Sequence, residues 1–249
     1  MLFIMSIRSV LIGLVLTAVP VLGAPGPAQA STPLDARSVI SHDAVVGFTE
    51  AVPDSVAGTL MLKYKPKLKV TNGCVPFPAV DAEGNTSGGL KPTGSSNGHC
   101  SSSTGQVYAR AATHGEYFAI MYSWFMPKDS PTSGLGHRYD WEEAIAWLSG
   151  ETADATLVAF SVSAHGGISS TRSPGRSGDS PLAEYASTWP LNHQLLQTTT
   201  VGGTQPLIAW ESLTDAARDA LQNTDFGKAM VPFKDSVFVG NLEKGYATL

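Results

Sequence analysis

Short apolar runs alternate along this chain with segments rich in Gly, Pro, Asn and Ser. Apolar runs of this length, bounded by turn residues, predict β-strands. Many short strands separated by turns are typical of an antiparallel β-sandwich, so we expect a mainly β fold. The predicted strands lie within 68–71, 105–110, 117–125, 155–162 and 237–239.

At least one helix interrupts the strand pattern. Residues 212–215 (Ser-Leu-Thr-Asp) resemble a capping box, and Ala216, Ala217, Ala220 and Leu221 follow at helical spacing. Residues 166–181 hold Ser, Gly, Pro and Arg without periodicity, which predicts a long surface loop. Because we find no internal repeat and no sharp shift in composition, we expect the mature chain to be a single domain.

The first thirty residues have the order of a secretory signal peptide. One charge, Arg8, precedes an apolar run from Val10 to Leu22, and the small-x-small triplet 28–30 follows. An uncleaved anchor is the alternative, but the run is shorter than the roughly twenty residues that a spanning helix needs. We therefore predict a signal peptide at 1–30, a mature domain at 31–249 and an exported protein.

Charge and composition exclude several classes of protein. Only 15% of the 249 residues are charged, which argues against a helical bundle or coiled coil. Lys and Arg total 16 against 21 Asp and Glu, a net charge of −5. Removal of Arg8 with the signal peptide gives 15 − 21 = −6. Since nucleic-acid binding needs a basic surface, we expect no nucleic-acid partner.

Export determines how the two cysteines are interpreted. Cys74 and Cys100 are the only pair, and in an oxidising compartment we predict that they form a disulfide. Two free thiols are the alternative. Such a bond closes a loop of about 27 residues, worth roughly 3–4 kcal/mol in the chain-entropy model. Asn85 begins an Asn-Thr-Ser glycosylation acceptor inside that loop, usable in a eukaryotic producer.

The densest cluster of chemically useful side chains is Asp129, His137, Asp140 and Glu142. Carboxylate oxygens with an occasional imidazole are ligands of hard divalent cations. Three carboxylates and one His suit Mg²⁺, Ca²⁺ or Mn²⁺ better than zinc, because no free thiolate is available. The cluster therefore predicts a divalent-cation site.

Two structures for this segment remain open. On a strand, Asp140 and Glu142 point to the same face, which favours a strand over a helix. A helix is the alternative, since residues 143–148 tolerate helix. Without a metal, the segment would be a solvated loop whose charges pair with Arg138 and Lys128.

Catalytic patterns in the sequence lack the context that they need. Residues 94–98 fit the Gly-x-Ser-x-Gly pattern of hydrolases, but no strand or helix is predicted around them. His165 begins a His-Gly-Gly stretch that would fit an oxyanion-hole loop. We expect neither to be catalytic. Trp210 is predicted either to pack before the helix or to contact a membrane interface.

At the metal-site residues the chain resembles the necrosis- and ethylene-inducing peptide 1-like proteins of plant-associated microbes. Their hallmark heptapeptide is Gly-His-Arg-His-Asp-Trp-Glu, and six of its seven positions match here. The matching segment is Gly136, His137, Arg138, Tyr139, Asp140, Trp141 and Glu142. Further resemblance lies in 42–48, 72–81, 119–129, 163–167, 189–193 and 231–233. The single cysteine pair resembles the two-cysteine type of this family.

This resemblance implies a fold and a function. The fold is an antiparallel β-sandwich flanked by helices, similar to actinoporins and fungal lectins. The function is that of a secreted, non-enzymatic cytolysin that binds the sugar of plant glycosyl inositol phosphoryl ceramide sphingolipids and disrupts the host plasma membrane. The implied metal ligands are Asp129, His137, Asp140 and Glu142, and His165 is expected near the pocket. A monomer in solution is also expected.

Two alternatives to a cytolysin remain. Segment Ala119 to Glu142 resembles the part of this family that plant leucine-rich-repeat receptor proteins detect, so the chain could act mainly as an immunogenic pattern. Alternatively, the metal site could activate water as a cell-wall hydrolase. Tyr139 replaces the usual second His of the heptapeptide. This departure puts cytotoxicity in doubt and leaves the family resemblance intact.

Overall fold

Six strands form the central sheet in the order β12-β4-β5-β6-β7-β8. The computed structural model describes residues 37–188 and 190–249, so the predicted signal peptide lies outside the described residues. The strands are β1 (Val39–Ile40), β2 (Lys67–Val70), β3 (Thr86–Ser87), β4 (Val107–His114), β5 (Tyr117–Asp129), β6 (His137–Leu148), β7 (Leu157–Ala164), β8 (Gly167–Thr171), β9 (Arg176–Ser177), β10 (Ser180–Ala186), β11 (Gln194–Gln197) and β12 (Leu207–Ala209).

A second sheet, β11-β10-β2, packs against the first and completes a sandwich. Strand β11 contacts β6 and β7, and β9 pairs with β10 at the border. Most pairings are antiparallel, but β12 runs parallel to β4 and β2 runs parallel to β10. The prediction of a mainly β sandwich with flanking helices is therefore confirmed, with parallel pairings that the sequence pattern did not reveal.

Large aromatic side chains fill the core on both sides of the central sheet, with Trp147 packed beneath α3 (Phe238–Tyr246). The fully buried members include Trp124, Trp147, Tyr122, Tyr185 and Phe160. Strand β5 is buried along nearly its whole length, so both of its faces are covered. Four of the five predicted strands correspond to β2, β4, β5 and β7.

The fifth predicted strand is wrong, because residues 237–239 lead into helix α3 (Phe238–Tyr246). Phe238, Leu242 and Gly245 are its buried residues, at spacings of four and three. Three adjacent apolar residues do not distinguish a strand from a helix. The distinction needs the spacing of buried residues over the whole segment, which here is helical.

The other helices are α1 (Val56–Lys63) and α2 (Asp215–Asn223). Helix α2 confirms the predicted helix, but its N-cap is Thr214, whose side chain accepts a hydrogen bond from the Ala217 amide. Ser212, the residue expected to cap it, lies instead in a short 3₁₀ helix with Trp210. Trp210 is buried against Phe233, so the packed alternative is the correct one. Within the described ranges, no helix has the length and apolarity to cross a bilayer.

The predicted surface loop at 166–181 is wrong, since it contains β8, β9 and the start of β10. Among the described residues, β8 is an edge strand paired with β7 alone, and its residues are largely polar and exposed or half-buried. Such a strand is stabilised by backbone pairing rather than by an apolar face, and therefore leaves no hydrophobic pattern. The predicted disulfide is confirmed between Cys74 and Cys100.

Candidate functional site

A cavity of about 490 Å³ opens beside the first half of β6. Its lining comes from the end of β5, β6, the end of β7 with the following turn and the start of β8, the segment before β11, the chain following α2, and α3. All four predicted metal ligands contribute to this lining. The other lining residues with polar side chains are Glu143, Ser163, His165, Asn192, His193, Lys228, Asn241 and Lys244.

Strand pairing brings the predicted ligands together. Asp129 ends β5 and lies directly opposite His137, which begins β6. Asp140 and Glu142 follow on β6 with the spacing of two that places both on one face. The strand interpretation of this segment is therefore confirmed over the helical one.

The three carboxylates are buried, and their nearest partners are not lysine or arginine. Asp129 is 1% exposed, and Asp140 and Glu142 are each 6% exposed, so this is not a solvated loop. Within residues 37–188 and 190–249, no Lys or Arg forms an ion pair with any of the three. Lys128 donates to backbone carbonyls of the disulfide loop, and Arg138 donates to the Gly88 carbonyl.

Each carboxylate is held by a side chain that the sequence did not single out. Asp129 Oδ1 lies 2.6 Å from His193 Nδ1 and accepts the His193 amide at 3.1 Å. Tyr185 donates its hydroxyl to Asp140 Oδ2 at 2.6 Å. Ser163 donates its hydroxyl to Glu142.

Burial raises the pKa of Asp140 well above its ordinary value, and the charge of Asp129 raises it further. Burial likewise raises the pKa of Glu142, with the charge of Asp140 as the second cause. Both carboxyl groups therefore resist ionisation in the absence of a nearby cation. Since no lysine or arginine among the described residues forms an ion pair with them, the donor set fits a divalent ion.

As they stand, the described residues contain no group of three or more His, Cys, Asp or Glu side chains arranged to hold a metal ion. The oxygens of Asp140 and Glu142 face the Tyr185 and Ser163 hydroxyls instead. The fit to a cation consequently rests on the chemistry of the donors and on their shared cavity. The metal site and its four ligands stay a prediction.

His137 is oriented by its own strand. Its Nδ1 donates to the Tyr139 carbonyl at 2.7 Å, because a carbonyl can only accept. In the neutral imidazole the lone pair is then on Nε2, which lies 3.7 Å from Asp129 Oδ2. A ligand histidine is commonly fixed in this way through its second nitrogen.

Tyr139, the departure from the heptapeptide, does not line the cavity. Its backbone is left-handed, with φ of +65°, at the irregularity where both Arg138 and Tyr139 pair with Lys128, and its side chain lies on the other side of β6 from Asp140. There the ring packs edge-on against Phe226 at 5.3 Å and lies 6.1 Å from Phe125. The ring therefore belongs to an aromatic cluster behind the site.

His193 is a second buried residue, beside Tyr185, to which sequence reasoning assigned no role at the site. It is 3% exposed, its ring stacks on Tyr185 at 4.7 Å, and its Nε2 has no hydrogen-bond partner among the described residues. Gly73, with φ of +82°, closes over it, and a Cβ there would lie 2.4 Å from His193 Nε2. The family resemblance at 189–193 contained this residue, but gave it no role.

Two further predicted sites are located by the structure. His165 lies in the exposed β7–β8 turn at the cavity, and its contact with a sugar stays a prediction. The Asn85 side-chain nitrogen, which would carry a glycan, donates to Asp81 at 2.9 Å. Glycosylation would break that bond, and it too stays a prediction.

Comparison with known proteins gives consistent matches over most of the chain. The family model described as Necrosis inducing protein (NPP1) matches residues 58–245. Necrosis-inducing protein NPP1 of Phytophthora nicotianae is 49% identical over 215 residues, 84% of this chain and 91% of that protein. NLP effector protein 10 of Phytophthora capsici is 48% identical, covering 84% of this chain and 92% of the relative.

Solved structures show the same similarity. A structure described as "Toxin fold as basis for microbial attack and plant defense" has a TM-score of 0.81 and 49% identity, covering 84% of this chain and all of that one. NLPPya in complex with mannosamine has a TM-score of 0.80 and 49% identity, covering 84% and 99%. The non-toxic HaNLP3 has a TM-score of 0.79 and 40% identity, covering 82% and 98%.

In fold and in these matches the chain groups with toxin-fold effector proteins rather than with enzymes. More particularly, the chain belongs to the necrosis-inducing protein (NPP1) family.

Proposed function

We propose that this chain is an exported cytolysin that acts at the host plant plasma membrane. It binds the sugar headgroup of glycosyl inositol phosphoryl ceramide and then disrupts the bilayer. The observation that carries the proposal is a cavity in which three buried carboxylates have no lysine or arginine partner. The solved complex of the relative NLPPya with mannosamine supports a sugar as ligand.

Asp129, His137, Asp140 and Glu142 would hold the divalent cation, Mg²⁺, Ca²⁺ or Mn²⁺. The ion would offset the mutual repulsion of the carboxylates and accept sugar hydroxyl oxygens at its open positions. Tyr185 and Ser163 would orient the carboxylates through their hydroxyls. The Asp129–His193 contact would hold the first ligand against the end of β5.

Net charge favours recognition of a specific headgroup over general adsorption. At −5, the chain is repelled by an anionic leaflet rather than attracted to it. Binding to a membrane therefore needs a short-range contact that outweighs this repulsion. A cavity that accepts one headgroup supplies such a contact.

Dye leakage from vesicles tests the proposal. We expect leakage from vesicles that contain plant glycosyl inositol phosphoryl ceramide, none from phosphatidylcholine vesicles, and loss of leakage on adding EDTA. Asp140→Ala should abolish leakage, whereas Asp179→Ala, an exposed carboxylate outside the cavity, should leave it unchanged. Leakage that persists in both EDTA and Asp140→Ala contradicts a metal-dependent cytolysin.

A second candidate is a non-cytotoxic immunogenic pattern, which the similarity to non-toxic HaNLP3 favours. Segment Ala119 to Glu142 spans β5 and the start of β6, and residues 119–130 are buried. A leucine-rich-repeat receptor could contact residues 119–130 only after they leave the fold. A synthetic 119–142 peptide should then trigger defence responses in leaves where the intact, folded protein causes no necrosis.

A further inference from the structure

Two lysines lie at the mouth of the acidic cavity. Lys228 follows α2 and Lys244 belongs to α3, and both are exposed while lining the cavity. Lys228 has no hydrogen bond or ion pair to any other described residue. Lys244 makes one hydrogen bond, to the Asn241 side chain at 3.3 Å. The cavity thus combines an acidic floor with two lysines at its opening, of which Lys244 also interacts electrostatically with Glu143.

A tight turn presents Lys228 to the cavity. The Gly227 amide donates to Asp225 Oδ1 at 2.8 Å, and the Ala229 amide donates to the Phe226 carbonyl at 3.2 Å. Gly227 has φ of +66°, a conformation that glycine adopts without strain. The ammonium of Lys228 therefore extends from a fixed backbone rather than from a loose loop.

The turn is anchored on the heptapeptide from behind. Phe226 is 2% exposed, and its ring packs edge-on against Tyr139 at 5.3 Å and Trp141 at 5.8 Å. A Cβ on Gly227 would lie 4.0 Å from the Tyr139 ring. The residue that departs from the family heptapeptide thus supports the turn that carries Lys228.

We propose that Lys228 and Lys244 form an anion subsite that recognises an acidic group adjoining the bound sugar. The inference rests on the proposed function and deepens it. The chemical class is a glycolipid headgroup whose phosphate or uronate carboxylate follows the sugar that enters the cavity. An uncharged glycolipid offers neither ammonium group an anionic partner, whereas an acidic headgroup pairs with them at short range.

Met230 is consistent with a membrane-borne ligand. It lines the same opening and is 54% exposed. A large apolar side chain beside a free lysine suits the interface between headgroups and acyl chains. The ligand therefore presents its sugar to the cavity, its acidic group to the lysines and its lipid to Met230.

Binding to immobilised vesicles, measured with divalent cation present, tests the subsite. Lys228→Gln and Lys244→Gln should each weaken binding to glycosyl inositol phosphoryl ceramide about fivefold, and together by more than tenfold. Lys91→Gln, an exposed lysine outside the cavity, is the matched control and should bind like wild type. Binding to vesicles of a neutral glycosylceramide should be equally weak for wild type and all four variants.

Soluble competitors distinguish the two sources of negative charge. If phosphate is recognised, inositol phosphate should displace wild type more readily than the double variant; if carboxylate is recognised, glucuronate should do so. Lysine variants that bind like Lys91→Gln, with neither competitor discriminating, overturn the subsite. Failure of the proposed function looks different: wild type itself then shows no EDTA-sensitive binding to the acidic sphingolipid.

Discussion

Tyr139 shows how one residue acts through its backbone and its ring in different places. Its carbonyl fixes the His137 ring inside the cavity, while its own ring packs on Phe226 outside it. The backbone contribution does not depend on the side chain, so a His or a Tyr at this position orients His137 equally. The Tyr139 ring, in contrast, stabilises the aromatic cluster by packing, so this contribution depends on the size of the side chain.

Substitution of Tyr139 should therefore separate packing from metal binding. Tyr139→Phe keeps the ring and should change the unfolding free energy by less than about 0.5 kcal/mol. Tyr139→Ala removes a half-buried ring and should cost about 2–3 kcal/mol, measured by urea unfolding. Calorimetric titration with Ca²⁺ at a temperature where both variants are folded should show similar affinities.

The companion leaf experiment compares wild type with Tyr139→His. Because the ring does not line the cavity, we expect the two proteins to cause the same extent of necrosis. Necrosis by Tyr139→His alone would mean that a His at this position contacts the ligand or the ion. That result would contradict the placement of the Tyr139 side chain and confine the cytolysin proposal to relatives that have the His.

Gly73 is the second position where a single residue controls the site. A Cβ would meet His193 Nε2 at 2.4 Å, and the left-handed φ of +82° is unfavourable for any other residue. Gly73→Ala should cost about 1–3 kcal/mol and displace His193 from Asp129. Thermal unfolding should show the loss of stability, and metal titration the weaker binding. Gly150→Ala, where the new methyl meets open space, is the control.

At the scale of elements, the disulfide loop is connected to the metal-site strands. Lys128 is buried on β5 and donates to the Thr93 and Ser95 carbonyls at 3.1 and 2.9 Å. The Gly134 amide, in the turn that leads into β6, donates to the Pro92 carbonyl at 2.7 Å. The loop closed by Cys74 and Cys100 thus braces both ends of the β5–β6 turn.

Removing the disulfide should therefore affect the site as well as the stability. The double variant Cys74→Ser, Cys100→Ser should lose about 2–4 kcal/mol of unfolding free energy. Without the loop in place, Lys128 loses its acceptors, and we expect weaker cation binding by the folded variant. Unchanged metal affinity in the folded double variant would show that the loop stabilises the fold without bracing the site.

The sequence predicted those strands and helices whose apolar residues recur at the spacing of a strand or a helix within the segment itself. Strand β5 and helix α2 show theirs within a single segment, whereas β8 is polar and α3 begins with three apolar residues that fit either state. The metal cluster was found because its members lie within fourteen residues (129–142) along the chain. Tyr185 and His193 reach the site from another sheet, and no local pattern signals that approach.

For the whole molecule, the buried carboxylates couple folding to pH. The pKa values of Asp140 and Glu142 are raised by burial and by neighbouring negative charge. The folded state therefore binds their protons more tightly than the unfolded state does. This contribution to stability is fully present at a pH below the ordinary pKa of a carboxyl group. It declines as the pH rises from there toward the raised pKa values of the folded state.

Metal removal should expose this coupling. In EDTA, the melting temperature should fall between about pH 4.5 and pH 7, by about 2–4 °C for each kcal/mol lost. A divalent ion at about 100 times its Kd adds about 2.7 kcal/mol, so it should raise the melting temperature at pH 7 by about 5–10 °C. At pH 4.5 the protonated carboxyls bind metal poorly, and the same ion should have little effect.

Asp140→Asn is the variant that ties this behaviour to the cavity. The substitution removes a carboxyl group whose ionisation in the folded protein costs free energy. In EDTA, the variant should therefore lose less stability than wild type between pH 4.5 and pH 7. It should also lose most of the stabilisation by metal at pH 7. Asp179→Asn, exposed and outside the cavity, should follow the wild-type curve in both conditions. A melting temperature of wild type that is independent of metal at pH 7 would contradict a cation site among these carboxylates.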